Sequence, residues 1–175
     1  MSWRTVYVVE YAAPILIHLS PLLFRQHVYS AAGSISPVQK IIIVMLTLHF
    51  MKRELETIFL HKFSNNTMPW YLIFKNASYY WFLAGFNIAY WVYSPTAIAA
   101  KPLSDDFSRA CVYSGVALYV FGEVANFYTH LVLSSLRSRG GTERGIPKGF
   151  GFDWVTCPNY LFEVGFQQNL GEASG

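Results

Sequence analysis

The sequence predicts an all-α fold, a multi-span transmembrane helical bundle, and three observations support that prediction. The chain of 175 residues is 53% hydrophobic and 18% aromatic but only 13% charged, whereas about 25% of residues in a soluble domain are charged. Four stretches have the length or apolarity for bilayer association, where a crossing helix needs ~20 mostly apolar residues. They cover residues 6–24, 40–61, 70–93 and 110–134. Ionisable residues stand within them, and in a membrane such residues usually face a bundle interior.

The first apolar stretch, residues 6–24, is interrupted in two ways. Pro14 and Pro21 predict a kink or a break, because proline lacks the N–H that an interior helical position donates. Glu10 and His18 interrupt the apolar run, and little basic sequence precedes it. A cleaved signal peptide is therefore not the interpretation.

The remaining stretches are justified in order along the chain. Residues 40–61 are apolar only in their first half, after which charged residues continue with helical periodicity. The segment SNNTMP (64–69) favours a turn and ends that helix. Residues 70–93 are aromatic at both ends, as is typical of a spanning helix whose ends lie at the two membrane–water interfaces. A polar stretch, 94–109, then leads to the last apolar stretch, 110–134.

The distribution of lysine and arginine predicts an orientation. With four spans, nine of these residues lie toward one side and four toward the other, and the positive-inside rule favours the larger group as cytosolic. The larger group comprises Arg4, Lys52, Arg53, Lys62, Lys75, Arg137, Arg139, Arg144 and Lys148, and the smaller comprises Arg25, Lys40, Lys101 and Arg109. A site near the cytosolic surface is open to soluble anionic reactants that never cross the bilayer.

Polar residues form a stripe on the last apolar stretch. Glu123, Asn126 and His130 lie at helical spacing, and the same side of a continued helix includes positions 134 and 137. Such a stripe indicates a site inside a membrane bundle. An interhelical hydrogen bond is the alternative explanation for Asn126 and His130.

The stripe runs into a glycine-rich basic stretch, LRSRGGTERGIPKGFG (136–151). Its cations, Arg137, Arg139, Arg144 and Lys148, suit phosphate binding, because arginine matches phosphate oxygens bidentately. An ordinary positive-inside loop is the alternative. The sequence contains no Walker motif and no GxGxxG, which excludes the common nucleotide-binding folds.

A second polar cluster consists of Asn159, Tyr160 and Glu163. Pro158 suits the start of a helix, so Asn159 and Glu163 lie one turn apart. A tyrosine near a cationic phosphate site is a candidate proton donor. A membrane-interface anchor is the alternative for Tyr160.

Glu56 is a further candidate acid, although Lys52 stands at i−4 and offers a simple ion pair instead. The two cysteines, Cys111 and Cys157, have no CxxC spacing and no pattern of histidine ligands nearby. Reduced thiols are expected, and no metal site is predicted.

Taken together, four segments and Glu163 resemble the very-long-chain trans-2-enoyl-CoA reductases, which belong to the steroid 5-alpha-reductase-like family. The segments are HFMKRELETIFLHKFSNNTMP (49–69), IFKNASYYW (73–81), NFYTHLVLSSLR (126–137) and GIPKGFGFDWVTCPNY (145–160). The first is specific to the enoyl reductase branch. The patterns in 126–137 and 145–163 are shared more widely in the family.

The resemblance implies a multi-pass enzyme of the endoplasmic reticulum membrane that uses NADPH to reduce trans-2-enoyl-CoA, the last step of each fatty-acid elongation cycle. It implies a very-long-chain enoyl-CoA substrate, with membrane lipids and other elongase components as partners and no nucleic acid. The acyl chains made in this way also link it to sphingolipid metabolism. Two alternatives stay open: a steroid or polyprenol double-bond reductase, and a catalytically inactive membrane fragment that binds elongase partners.

The resemblance also assigns roles by motif. Tyr160 is then the proton donor, or the group that polarises the thioester carbonyl, and Glu56 is its catalytic partner or orienter. The positions expected to bind the cofactor are Asn126, His130, Arg137, Arg139, Asn159 and Glu163. Of these, His130 matches the enoyl reductase branch, whereas the steroid reductases carry an acid there.

The extent of the resemblance gives an expected domain organisation. It covers residues 2–165, so a partial membrane-embedded reductase domain is expected at 1–165 and a divergent polar tail at 166–175. Members of the enoyl reductase branch begin with a ubiquitin-like domain and continue beyond the position of Glu163 with further membrane segments. The resemblance therefore implies a chain truncated at both ends and a bundle incomplete at its C-terminus.

Overall fold

The structure is a computed structural model that describes residues 1–30, 33–63, 67–138, 141 and 145–167. These residues form helices and turns, and the strand-like pairing among them is an isolated bridge between Ser2 and Thr67. The all-α prediction is confirmed for this part of the chain.

Two structural units divide the chain. The first unit comprises Met1–Phe59 and Asn65–Pro102, and the second comprises Leu60–Ser64 and Leu103–Gly175. The single reductase domain expected at 1–165, followed by a separate tail, stays a prediction.

In its described part the first unit is built from five α-helices, two π-helical segments and a short 3-10 turn, Ile98–Ala100. The helices are α1 (Trp3–Leu19), α2 (Pro21–Val28), α3 (Pro37–Leu55), α4 (Leu72–Ser78) and α5 (Ile88–Val92). A π-helical turn, Glu56–Leu60, continues α3, and a π-helical stretch, Tyr79–Asn87, joins α4 to α5. Helix α1 packs against both α3 and Tyr79–Asn87. The approach is close at Gly85, where a Cβ atom would lie 2.7 Å from Cδ1 of Ile17.

The two prolines of the first apolar stretch behave differently. Pro14 lies inside α1 without ending it, whereas Pro21 occupies the first turn of α2, where its missing N–H costs nothing. The chain bends by 66° between the two helices. The Ser20 hydroxyl donates to the Ile17 carbonyl at 2.7 Å and satisfies one of the acceptors freed at the end of α1. The break predicted at Pro21 is confirmed.

Helix α3 begins with a capping box. The Ser36 hydroxyl accepts from the Gln39 N–H at 3.1 Å, and Gln39 Oε1 accepts from the Ser36 N–H at 3.2 Å. Pro37 fills the first helical position. The helix therefore starts before the predicted residue 40, and its π-helical continuation ends at Leu60, close to the predicted residue 61.

The interior of the first unit combines a small apolar cluster with buried polar side chains. Ile43, Ala89 and Tyr93 form the cluster. His18 is fully buried, with Nε2 3.0 Å from the Ala84 carbonyl oxygen and Nδ1 2.9 Å from the Tyr93 hydroxyl. In the neutral ring, Nε2–H donates to Ala84 and Nδ1 accepts from Tyr93, because a carbonyl can only accept.

A second polar group closes the C-terminal end of α5. Gln39 Nε2 donates to the carbonyls of Val92 at 2.9 Å and Ser94 at 3.0 Å. Arg25 Nε donates to the Tyr93 carbonyl at 3.1 Å. The other two nitrogens of Arg25 donate to the Gly33 carbonyl and, at 3.5 Å, to Gln39 Oε1. Three carbonyls that the helix end leaves free are thus satisfied by side chains.

The second unit pairs α6 (Asp106–Ser135) with α7 (Pro158–Gln167). Asp105 caps α6 by accepting from the Ser108 N–H at 2.6 Å. The helix then runs for 30 residues without proline, so the predicted stretch 110–134 is confirmed as one continuous helix.

Two findings bear on the membrane prediction. Within the described residues, α6 is long and apolar enough to cross a bilayer, and α1 with α2 qualifies as a second if the bent pair counts as one span. A bundle of four spans is therefore not confirmed. Charged residues follow the apolar half of α3, and π-helical geometry divides the apolar segment 72–92 into three short elements.

The helices bury polar side chains and expose apolar ones, an arrangement that we call inside-out polarity. On α6 the buried positions include Asn126, Thr129 and His130, whereas the exposed ones include Val120, Val124, Phe127, Tyr128 and Leu131. Around the bend of α1 and α2, His18 and Arg25 are buried while Leu16, Leu22, Leu23 and Phe24 are exposed. Large exposed apolar surfaces mark membrane or protein contacts, and this arrangement indicates membrane association.

Candidate functional site

The polar stripe predicted on α6 is turned into the protein. Asn126 is 1% exposed and His130 5% exposed, and Thr129, which the sequence prediction missed, is completely buried between them. The Thr129 hydroxyl donates to the Asn126 carbonyl at 2.7 Å. Glu123 is half-buried. Residues 126, 129 and 130 share one face because i, i+3 and i+4 are neighbours on a helix.

Asn126 connects the stripe to the second polar cluster. Its Nδ2 donates to the main-chain carbonyl of Asn159 at 2.9 Å. Asn159 is the second residue of α7, which begins at Pro158. The first turn of α7 is therefore held against α6 by a side chain buried in the stripe.

The turn before α7 depends on a glycine. Gly151 has φ +79°, which other residues rarely adopt, and a Cβ atom there would lie 2.7 Å from Cβ of Pro158. Aromatic packing supports the same region: the Phe150 ring stacks on Phe162 at 5.4 Å and meets Tyr128 edge-on at 5.5 Å. The backbone of the PNY motif is thus fixed from both sides.

Tyr160 projects outward from this fixed turn. Its side chain is 62% exposed, and in the described part of the chain its hydroxyl makes no hydrogen bond, while its N–H donates to the Cys157 carbonyl at 3.2 Å. The side chains of Asn159 and Glu163 are half-buried nearby on α7. The backbone of Tyr160 is therefore held in place, whereas its hydroxyl is accessible.

Arg137 lies just beyond the end of α6 rather than on its last turn, because the helix ends at Ser135. Its Nη1 donates to the Lys62 carbonyl at 3.1 Å, and Lys62 Nζ donates back to the Arg137 carbonyl at 2.6 Å. We call this reciprocal pair the Lys62–Arg137 clasp. The Ser134 hydroxyl reinforces it by donating to the Leu60 carbonyl at 2.7 Å.

The clasp places segment 60–63 beside the end of α6. The His61 ring meets the His130 ring edge-on, with 5.2 Å between centroids. His61 and Lys62 lie within the 49–69 motif, but the sequence patterns predicted neither as a site residue. Their only local signal was a histidine and a lysine directly after an apolar helix; the partners lie about 70 residues further along the chain.

Glu56 belongs to the first unit and is buried there. Its carboxylate is 3.1 Å from Arg53 Nη1 and 3.8 Å from Lys52 Nζ. Arg53 in turn donates to the Tyr11 hydroxyl at 2.9 Å and lies 5.2 Å from the centre of that ring. The expected pairing with Lys52 is present, but Arg53 is the closer partner.

Two residues noted in the sequence remain, Arg139 and Glu10. Arg139 lies outside the described residues. Glu10, which sequence reasoning noted only as an interruption, is 1% exposed and hydrogen-bonds the Asn76 side chain. Its signal in the sequence was an acid within an apolar stretch.

The chain is similar to known proteins over most of its length. Residues 66–166 match the family described as 3-oxo-5-alpha-steroid 4-dehydrogenase. The chain is 39% identical over 164 residues to the very-long-chain enoyl-CoA reductase of Dictyostelium discoideum, which covers 94% of this chain and 52% of that protein.

Two other relatives extend the comparison. A Schizosaccharomyces pombe protein whose name provisionally assigns it to the enoyl reductases is 40% identical over 163 residues, covering 93% of this chain and 54% of that protein. The trans-2,3-enoyl-CoA reductase-like protein of Mus musculus is 27% identical over 176 residues, covering 94% of this chain and 46% of that protein. The chain spans about half the length of the curated relatives it matches.

Proposed function

The chain belongs to the 3-oxo-5-alpha-steroid 4-dehydrogenase family, and on that premise we propose that it reduces the trans-2 double bond of very-long-chain enoyl-CoA with NADPH. The family supports an oxidoreductase acting on CH–CH bonds with a reduced nicotinamide cofactor. The name of the Dictyostelium relative supports a very-long-chain enoyl-CoA substrate, and that of the Schizosaccharomyces relative supports the reduction of an enoyl group. The family's own description favours a second candidate, the reduction of a steroid.

One observation carries the proposal: the hydrogen bond from Asn126 to the carbonyl of Asn159. It joins the NFYTHLVLSSLR segment to the PNY motif, the two motifs that the family resemblance singled out. Because it fixes the first turn of α7, it also fixes the backbone of Tyr160 beside the buried stripe of α6. A positioned acid next to a buried polar surface is what proton transfer to a bound substrate needs.

Tyr160 is proposed as the proton donor. When bound, the nicotinamide cofactor supplies a hydride, which goes to the β-carbon of the enoyl-CoA. The Tyr160 phenol gives its proton to the α-carbon, so that the double bond becomes a CH–CH single bond. Hydrogen bonding from the same phenol to the thioester carbonyl is the alternative role. Its exposed, unpartnered hydroxyl is consistent with either role.

The second unit also offers a donor set that fits a phosphorylated dinucleotide. Within the described residues, Arg137 uses one of its five N–H donors, which leaves four for phosphate oxygens. The side-chain amide of Asn159 makes no hydrogen bond in the described part of the chain. We assign cofactor binding to Asn126, His130, Arg137, Arg139, Asn159 and Glu163.

Glu56 is proposed to act through its cationic partners. A carboxylate 3.1 Å from a guanidinium and 3.8 Å from an ammonium is placed to hold those two cations in position. Its proposed role is that of catalytic partner or orienter, exercised by positioning Arg53 and Lys52.

A multi-pass protein of the endoplasmic reticulum membrane with the site facing the cytosol is part of the proposal. The inside-out polarity of the helices supports the membrane, and the distribution of lysine and arginine supports the orientation. Two glycosylation sequons test this orientation. Asn65 lies outside the described residues, and Asn76 is half-buried and hydrogen-bonds Glu10. Protein made with microsomes is expected to stay unglycosylated. A mass shift that glycosidase reverses and Asn65→Gln removes would invert the topology and count against cytosolic NADPH as the reductant.

The function itself is tested by turnover and binding in lipid nanodiscs. NADPH oxidation is followed with a long-chain trans-2-enoyl-CoA and, in parallel, with a 3-oxo-4-ene steroid. Oxidation with the acyl-CoA alone supports the proposal, and oxidation with the steroid alone supports the second candidate. A protein with neither turnover nor NADPH binding would favour the remaining alternative, a catalytically inactive member that binds other elongation components.

A further inference from the structure

The Lys62–Arg137 clasp joins two cations of the second unit without a carboxylate between them. Both side chains are half-buried. In the described part of the chain, neither forms an ion pair, and the clasp consists entirely of side-chain donors meeting main-chain carbonyls. A hydrogen bond to a carbonyl leaves the positive charge of the donor in place. Half-buried charges without a counter-charge are costly, so this pair favours an anion from outside the protein.

The geometry leaves donors for that anion. Within the described residues, the ammonium of Lys62 uses one of its three N–H donors and the guanidinium of Arg137 uses one of its five. Six donors therefore remain for a ligand. Because each side chain is bonded to the main chain of the other residue, and Ser134 holds the neighbouring Leu60 carbonyl, the two cations cannot move apart independently. Fixed, paired cations with spare donors suit a phosphate group.

We infer that Lys62 is a phosphate-binding residue that works as one unit with Arg137 and takes a phosphate group of a nucleotide. This inference rests on the proposed function for the identity of that nucleotide. Two reactants carry suitable phosphates: the cofactor, with its 2′-phosphate, and coenzyme A, with its 3′-phosphate. The chemistry recognised is the same in both, a phosphate monoester.

The test measures equilibrium binding, which does not depend on turnover. Purified protein in nanodiscs of zwitterionic lipid is titrated with NADPH and NADH, and separately with an acyl-CoA and its 3′-dephospho form. If the clasp holds the cofactor phosphate, Lys62→Gln weakens NADPH binding roughly ten- to a hundredfold and leaves NADH binding nearly unchanged. If it holds the coenzyme A phosphate, the same selective loss is seen for the acyl-CoA pair.

Two variants control the experiment. Lys62→Arg keeps the charge and the reach to the Arg137 carbonyl, so it restores most of the lost affinity. Lys75→Gln removes an exposed lysine of the first unit and changes neither pair of affinities. Equal loss for the phosphorylated and dephosphorylated ligands, or no loss, overturns the inference. If the unmodified protein binds none of the four ligands, the proposed function fails and the inference falls with it.

Discussion

Arg25 in the first unit is buried and Arg137 in the second is half-buried, and the two side chains are used differently. Arg25 uses all three of its nitrogens on acceptors of its own unit, the Tyr93 and Gly33 carbonyls and Gln39 Oε1. Within the described residues, Arg137 uses one nitrogen, on the Lys62 carbonyl. A guanidinium whose three nitrogens all have acceptors stabilises the fold, whereas one with unengaged nitrogens is available to a ligand. The number of unengaged nitrogens therefore separates the two roles.

The same contrast extends to the rest of each unit. Buried polar groups of the first unit, such as His18 and Gln39, close helix ends and fix side chains. In the second unit the buried Asn126 instead fixes the backbone of Tyr160, whose hydroxyl remains open. The comparison therefore predicts that substituting Arg25 lowers stability, whereas substituting Tyr160 or Arg137 lowers activity or affinity.

The largest expected effect is at Tyr160. Tyr160→Phe is expected to lower the rate of enoyl-CoA reduction by about 10²–10⁴, because a positioned general acid is lost. The dissociation constant of NADPH and the melting temperature should stay close to those of the unmodified protein, since the phenol is exposed. Turnover near the normal rate would remove Tyr160 from the mechanism. Tyr113→Phe, at another exposed tyrosine of the second unit, is the matched control.

Arg25→Ala should have the next largest effect, and on stability. It leaves the Tyr93 and Gly33 carbonyls without their donor inside the first unit and removes the 3.5 Å contact to Gln39 Oε1, which keeps the Ser36 N–H, at a cost of about 2–4 kcal/mol. Thermal unfolding in detergent, followed by tryptophan fluorescence, should show a lowered melting temperature. The exposed cation Lys101, changed to alanine, should leave it unchanged. An unaltered melting temperature for Arg25→Ala would break the proposed contrast.

Arg137→Ala should mirror that result. The dissociation constant of NADPH is expected to rise about ten- to a hundredfold, since a charge-assisted phosphate contact contributes roughly 1.5–3 kcal/mol. The melting temperature should fall less than in Arg25→Ala, because one main-chain contact is lost instead of three acceptors. If cofactor affinity is unchanged and only stability falls, Arg137 is a structural residue like Arg25.

The smallest effect concerns the start of α6. Hydrogen bonds from Ser108 hold the pKa of the exposed Asp105 carboxyl below its ordinary value of 3.8. A lowered pKa means that the ionised cap stabilises the fold above that value and that this contribution is lost as the pH falls through the folded-state pKa. Asp105→Ala should therefore slightly lower the melting temperature at neutral pH and have no effect in strong acid. Asp106→Ala, which removes only an exposed ion pair with Arg109, is the control.

Local signals in the sequence were sufficient for much of the fold. The uninterrupted apolar run predicted α6, and Pro21 predicted the break after α1, because each depends on a few adjacent residues. The π-helical stretch Tyr79–Asn87 could not be read in this way, since it depends on packing against α1. The bundle of four spans also exceeded what local apolarity can establish.

The candidate site was likewise predictable only where it depends on residues close together in the sequence. The stripe of Asn126 and His130 follows from helical spacing, and its burial is confirmed. Arg137 was expected on that stripe, but α6 ends at Ser135, so the residue reaches Lys62 from a turn instead. Contacts such as the Lys62–Arg137 clasp join residues 75 apart in the sequence. No periodicity encodes a pairing at that distance.

The hydrogen-bond partners of His18 are synthesised well after His18 itself. The first helix leaves the ribosome with a histidine whose acceptor and donor, Ala84 and Tyr93, lie 66 and 75 residues later. At roughly 5–20 residues per second, Tyr93 is made about 4–15 s after His18. During that interval the imidazole lacks both of these partners, so water or the proteins that accompany the nascent chain must take their place. Slowing translation between these two codons should therefore increase degradation of the nascent chain.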